Sequence, residues 1–258
     1  MWVYRGGVPS SPVLLYEYHP SRSGDVAAEM LANYSGAVQS DGYMGYNFLD
    51  AKDGVVHIGC WAHARRKFIE ADKARPKKSK SGSTTIALNF IKNLYNIERT
   101  AKRKGLEGEG LVAYRQKHAA PMLKKFKKWL DKKSLVTTPQ SLLCKAVSYT
   151  LKQWQRLEAY IEVGDATPDN NLAENAIRPF VVGRKNWLFS GTPDGAKASA
   201  AIYSLIETAK ANKLDVYQYL RFLFEKLPLA QSEDDYRKLL PTVVTSETMP
   251  PLPGYSAV

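Results

Sequence analysis

The sequence predicts an α/β fold interrupted by a large helical segment, and three features of its 258 residues lead there. Short apolar runs separated by turn residues fill the chain up to Cys60. From Ala62 the apolar positions recur at helical spacing almost throughout. Beyond Asp169 a strand-like run returns among helices, so the helical stretch reads as an insertion into one domain.

The elements follow in order. Met1–Arg5 and Val13–Tyr18 are strand-like, with Gly6, Gly7 and Pro9 marking the turn between them. Pro20–Gly24 is a loop, and Asp25–Tyr34 spaces Val26, Met30, Leu31 and Tyr34 as a helix that Gly36 closes. Ala37–Ser40 is a short strand ending at Asp41, a turn-rich helix follows, and Val55–Cys60 is another apolar strand. Within the helical segment, 76–83 is a flexible basic linker, and Gly105–Gly110 and Thr137–Pro139 are breaks. After the loop Gly164–Asp169, the pattern predicts a long helix from near Asn171 and a strand over Asn186–Phe189. Helices over Ala196–Ala211 and Val216–Leu227 complete it, with an extended, partly disordered tail after Pro241. The expected division is a first core part over 1–62, a basic helical insertion over 63–164, a second core part over 165–228 and a tail over 229–258.

Composition excludes several classes. An apolar fraction of 44% with a mean hydropathy of −0.36 describes a globular chain. There is no apolar run long enough to span a bilayer. No apolar stretch follows Met1–Arg5, so a signal peptide is not expected. The 2 cysteines suit a reducing cytoplasm. The net charge of +12 is concentrated: 21 Lys and Arg face 6 Asp and Glu from Trp61 to Lys133, while the rest has 16 against 19. Solvated helix faces are the plain explanation of any one cluster. An imbalance over a whole segment points instead to a polyanion, because each neutralised phosphate releases counterions.

Two carboxylates stand out. Asp41 ends a strand in Ser40-Asp41-Gly42-Tyr43, where a carboxylate projects from a sheet edge; the plain alternative is an ordinary Asp-Gly turn. Glu174 lies in the first turns of a helix that Asp169 or Asn170 caps, with Arg178 four residues on along the same face. His57, Cys60 and His63 have ligand-like spacing, but no second pair completes a zinc motif, and a structural or hydrogen-bonding role is preferred. Trp61 reads as core. Among basic residues, Arg65, Arg66 and Lys67 open the helical segment and Lys124, Lys125, Lys127 and Lys128 cluster within it. Arg184 and Lys185 are placed to grip phosphates while Trp187 stacks on a base, or belongs to the core of a hairpin.

Five segments in this order resemble the insertion-sequence-66 family of transposases: Ser40–Tyr43, Cys60–Phe68, Asp169–Pro179, Val182–Gly191 and Tyr203–Lys210. The resemblance implies an RNase H-like mixed sheet and an Asp-Asp-Glu triad holding two Mg²⁺ or Mn²⁺ ions, with Asp41 second and Glu174 third. It implies hydrolysis at transposon ends and strand transfer into target DNA, by a bacterial cytoplasmic, nucleoid-associated homo-oligomer working with accessory proteins of its element. The strand with the first Asp is not found, and Asp25 and Asp50 do not replace it, so the chain alone is expected to be inactive. The alternative is a non-catalytic DNA-binding remnant that modulates an intact copy.

Overall fold

The computed structural model describes residues 1–74, 82–187 and 190–249, and its chain divides into two compact units: residues 22–171, and residues 1–21 with 172 onward. Helices dominate, and among the described residues the strands form two two-stranded sheets, one in each unit. No described helix is long and apolar enough to cross a membrane.

The unit of residues 22–171 opens with α1 (Gly24–Met30), started by the Ser23 side chain accepting the Asp25 N–H. Then β3 (Gly36–Gln39) and β4 (Val55–Ile58) pair in parallel, from Gly36 opposite Val55 to Gln39 opposite Ile58. A 3₁₀ turn over Met44–Ala51 occupies the crossover that parallel strands require. The helical segment is α2 (Trp61–Lys73), α3 (Ser83–Arg103), α4 (Gly108–His118), α5 (Ala120–Val136), α6 (Leu142–Lys152) and α7 (Trp154–Ala159). The expected breaks fall between α3 and α4 and between α5 and α6, and Pro121 sits in the first turn of α5, where its missing N–H costs nothing. The expected linker over 76–83 lies outside the described residues except for its last two.

One core joins these helices to β4. Trp61, Phe68, Ile91, Phe126 and Tyr160 are fully buried in it. Phe126 stacks on Phe90 with ring centres 4.7 Å apart and meets Trp61 and Trp154 at 6.0 and 6.1 Å. Trp61 is core, as its sequence setting suggests, and its indole N–H donates to the Leu157 carbonyl at 2.8 Å.

The other unit holds the antiparallel hairpin β1 (Trp2–Val8) and β2 (Ser11–Glu17). It also holds α8 (Asn171–Ala176, from Leu172), α9 (Arg178–Trp187), α10 (Pro193–Ala211), α11 (Val216–Lys226) and α12 (Glu233–Lys238). The side of β2 away from β1 rests on α10. Thr208 Oγ1 accepts the Leu14 N–H at 3.0 Å and donates to its carbonyl at 3.1 Å, Ser204 Oγ accepts the Tyr16 N–H at 2.8 Å, and the Asn212 amide donates to the Pro12 carbonyl at 2.9 Å.

Four sequence expectations change here. The helix expected over Asp25–Tyr34 ends at Met30, and Gly36, expected to close it, begins β3. The long helix from Asn171 is two helices, α8 and α9, with Pro179 in the first turn of the second. The strand expected over Asn186–Phe189 does not begin as one: Asn186 and Trp187 close α9, while Leu188 and Phe189 lie outside the described residues. A four-residue run cannot distinguish the two periods, and the helix already running from Arg178 extends to Trp187. After Pro241 the chain turns back, burying Val244 and Met249 against Leu239, Tyr219 and Leu223; residues 250–258 lie outside the described residues.

Candidate functional site

Asp41 is exposed at the tip of β3. Its Oδ1 accepts the Tyr43 N–H at 2.9 Å, closing an Asx turn. Gly42 has φ +84°, and a side chain there would come within 2.9 Å of the Tyr149 hydroxyl, so the turn requires glycine on both counts. Tyr149, on α6, donates to the Asp41 carbonyl at 3.2 Å. Burial, with the negative charge of Asp41 as a further cause, pushes the Tyr46 and Tyr149 phenols up to about 12, so both stay protonated beside the carboxylate.

Behind the turn runs a chain of polar groups. Ser40 Oγ and His57 Nε2 are 2.8 Å apart, and His57 Nδ1 and Asp50 Oδ1 are 2.7 Å apart. Arg156, on α7, holds Asp50 through Nε at 2.8 Å and through Nη2, and reaches Gln153 Oε1 at 3.0 Å and Asn47 Oδ1 at 2.7 Å. The Arg156 guanidinium holds the Asp50 carboxyl below the usual carboxylate range. Burial pushes His57 below its ordinary value against the pull of Asp50. The neutral imidazole therefore donates from Nδ1 to Asp50 and accepts the Ser40 hydroxyl at Nε2. Serine, histidine and aspartate in this order match an acyl-transfer triad, but Ser40 is only 4% exposed, too buried to act as a nucleophile on a substrate from solvent.

The loop that leads to α8 is tied to the same strand ends. The Gln39 amide donates to the Thr167 and Gly59 carbonyls at 2.8 and 3.2 Å, and the Trp61 N–H donates to the Pro168 carbonyl at 2.9 Å. The Tyr95 hydroxyl donates to Asp169 Oδ2 at 2.6 Å, and Asp169 Oδ1 accepts the Asn171 N–H, so Asp169 performs the capping that the sequence leaves open between it and Asn170. Arg115 binds the Tyr160, Val163 and Ala166 carbonyls at 3.0, 2.7 and 2.7 Å.

Glu174 belongs to the other unit, half-buried on α8. With Ile177, Arg178, Val181 and Val182 it lines a hollow of about 550 Å³, so Glu174 and Arg178 border the same hollow although they stand on two helices, α8 and α9, and not on one helix face as their spacing predicts. The Tyr16 hydroxyl donates to the Ala176 carbonyl, and Ala176 packs with Leu14, Tyr16 and Ala200, which docks α8 on the hairpin.

The basic residues are dispersed. Arg65, Arg66 and Lys67 are exposed on α2, Lys124, Lys125 and Lys128 on α5, and Arg178 and Lys185 on α9. Lys127 is half-buried and paired with Asp131 at 2.7 Å. The side chains of Arg184 and Trp187 lie outside the described residues. His57 does not join Cys60 and His63 as a ligand set, because both its ring nitrogens are engaged. Burial pushes the Cys60 thiol up, against the pull of nearby backbone N–H groups. Sequence reading missed Tyr149, Gln153 and Arg156 around the Asp41 turn; no spacing signal links them to a strand end about a hundred positions earlier.

The model of the transposase IS66 family matches residues 1–198, and that of the IS66 C-terminal element matches residues 204–242. Uncharacterized protein y4jD of Sinorhizobium fredii (strain NBRC 101917 / NGR234) is 33% identical over 226 residues, covering 85% of this chain and 43% of that protein. From the same organism, uncharacterized protein y4qI is 28% identical over 253 residues, covering 93% of this chain and 46% of its own length. The chain thus spans less than half the length of the curated relatives it matches. No solved structure matches it.

Proposed function

Because this chain belongs to the IS66 family of transposases, we propose that it carries the catalytic region of a DDE-type enzyme that cuts and rejoins DNA at transposon ends. Asp41 and Glu174 are the second and third carboxylates of the triad. The observation that carries the reading is Asp41 itself, an exposed carboxylate on a glycine-dependent turn at the end of a parallel strand. Its charge and oxygen donors fit a hard divalent cation such as Mg²⁺ or Mn²⁺. When bound, two such ions would stabilise the attacking and leaving oxygens of a phosphoryl transfer.

The protein's own residues supply position and charge. Tyr43 orients the Asp41 carboxylate, and Gln39, Trp61, Tyr95 and Arg115 hold the loop before Glu174 in one conformation. Arg65, Arg66, Lys67, Lys124, Lys125 and Lys128, with Arg178 and Lys185, offer exposed cations to phosphates. The core is of RNase H type, supported by a hairpin in one unit and, in the other, a parallel pair ending at a carboxylate. Residues 63–164 are the helical insertion in that core. DNA is the partner, bound by a homo-oligomer with accessory proteins of the same element.

The test is Mg²⁺-dependent nicking and strand transfer on terminal-repeat DNA, with the chain extended by the aspartate-bearing strand that the family resemblance implies. Asp41→Ala and Glu174→Ala should each abolish the activity and leave DNA affinity within about two-fold, since metal and positioning supply the catalysis. Retained activity in either variant removes that residue from the triad. DNA binding by the extended chain without any nicking would favour a non-catalytic remnant that modulates an intact copy.

A further inference from the structure

We propose that Ser40, His57, Asp50 and Arg156 form a positioning relay that holds the Asp41 carboxylate for a divalent cation and wires it to the helical segment; this rests on the reading of Asp41 as a metal ligand. Ser40 immediately precedes Asp41 and is 4% exposed, and His57, in β4, is 7% exposed. Their hydrogen bond, 2.8 Å long, fixes the Ser40 side chain, and the 2.7 Å bond from His57 to Asp50 fixes the ring. Arg156 then locks Asp50 with two donors, a planar fork that lysine cannot reproduce. The same guanidinium holds Gln153, whose amide would lie 3.5 Å from a side chain at position 42, and Tyr149 on the preceding helix donates to the Asp41 carbonyl.

The polar groups thus flank the Asp41–Gly42 turn, through Ser40 on the strand side and through Tyr149 on α6 on the helix side. The chain is buried at Ser40 and His57 and reaches solvent at Asp50, and such polar contacts add little stability over an apolar filling of equal shape. What it supplies is direction, because each member has one geometry that satisfies its neighbours. In metal sites, groups that orient a ligand without touching the ion control affinity strongly.

The experiment is Mn²⁺ binding to the full chain, followed by the electron paramagnetic resonance signal of free Mn²⁺, with the melting temperature of every variant recorded. Asp41→Ala is the reference and should remove the site. Ser40→Ala and Arg156→Lys should each weaken Mn²⁺ binding about ten-fold or more, as loss of an orienting partner does elsewhere. Ser40→Thr keeps the hydroxyl and should stay within about two-fold of the parent chain. If Ser40→Ala and Arg156→Lys lower the melting temperature yet bind Mn²⁺ like the parent, the chain of hydrogen bonds is only structural and the relay is overturned while Asp41 remains a ligand. Equal weakening by Ser40→Ala and Ser40→Thr would assign the effect to packing and overturn it as well. Unchanged binding by Asp41→Ala would remove the metal reading and the relay together.

Discussion

Arg115 shows how far a single residue can depart from its apparent role. In sequence it is one of 21 Lys and Arg in a basic segment, and a solvated helix face is its natural reading. In the structure it is 1% exposed, makes a fork with both Glu98 oxygens at 2.9 and 2.7 Å, and binds the carbonyls of Tyr160, Val163 and Ala166. Its guanidinium also lies 5.1 Å from the centre of the Tyr160 ring. These groups leave Arg115→Ala with a partly buried carboxylate and three carbonyls lacking their donor. The substitution should destabilise the chain by about 3–5 kcal/mol, read from urea unfolding. Arg115→Lys should recover little of that loss, since an ammonium cannot reproduce the fork. A loss under about 1 kcal/mol would mean that the carbonyls find other partners.

At the scale of elements, the strands and helices are largely legible because each has a local cause. The alternation in Ser11–Glu17 buries Leu14 and Tyr16 on one face. Ser204, Thr208 and Asn212, four residues apart, define one polar stripe of a helix from sequence alone. What that stripe meets is not legible, since its partner strand lies about 190 residues earlier. It supplies backbone partners along β2, where a bare strand edge would invite pairing with another chain. Thr208→Val keeps the shape and removes both bonds to Leu14. It should destabilise by about 1–3 kcal/mol and speed amide exchange at Leu14, whereas unchanged exchange would show that the edge is held without Thr208. The strand expected at Asn186 fails for the converse reason: local pattern is weak there, and continuation of α9 decides.

At the scale of the whole molecule, each of the two units has its own sheet and its own buried cluster. The basic segment lies wholly within the unit of residues 22–171. Lys124, Lys125 and Lys128 are exposed on α5, while the ion pair with Asp131 sets Lys127 apart. Replacing those three by glutamine should weaken DNA binding and reduce the slope of log affinity against log salt by about 0.9 for each phosphate no longer neutralised. An unchanged slope would return the cluster to a solvated face.

By itself, the sequence determines the succession of elements up to Asp169, the basic character of the helical segment, the family, and the placement of Asp41 at a strand end and Glu174 in a helix's first turns. All of these rest on local spacing and composition, which a linear chain carries openly. Only the tertiary structure decides that His57 lies against Ser40 and Asp50, that Arg156 is the clamp on Asp50, and that Arg115 is buried. Those pairings join residues up to about a hundred positions apart, and it is burial, by removing water as the competing partner, that makes such hydrogen bonds specific.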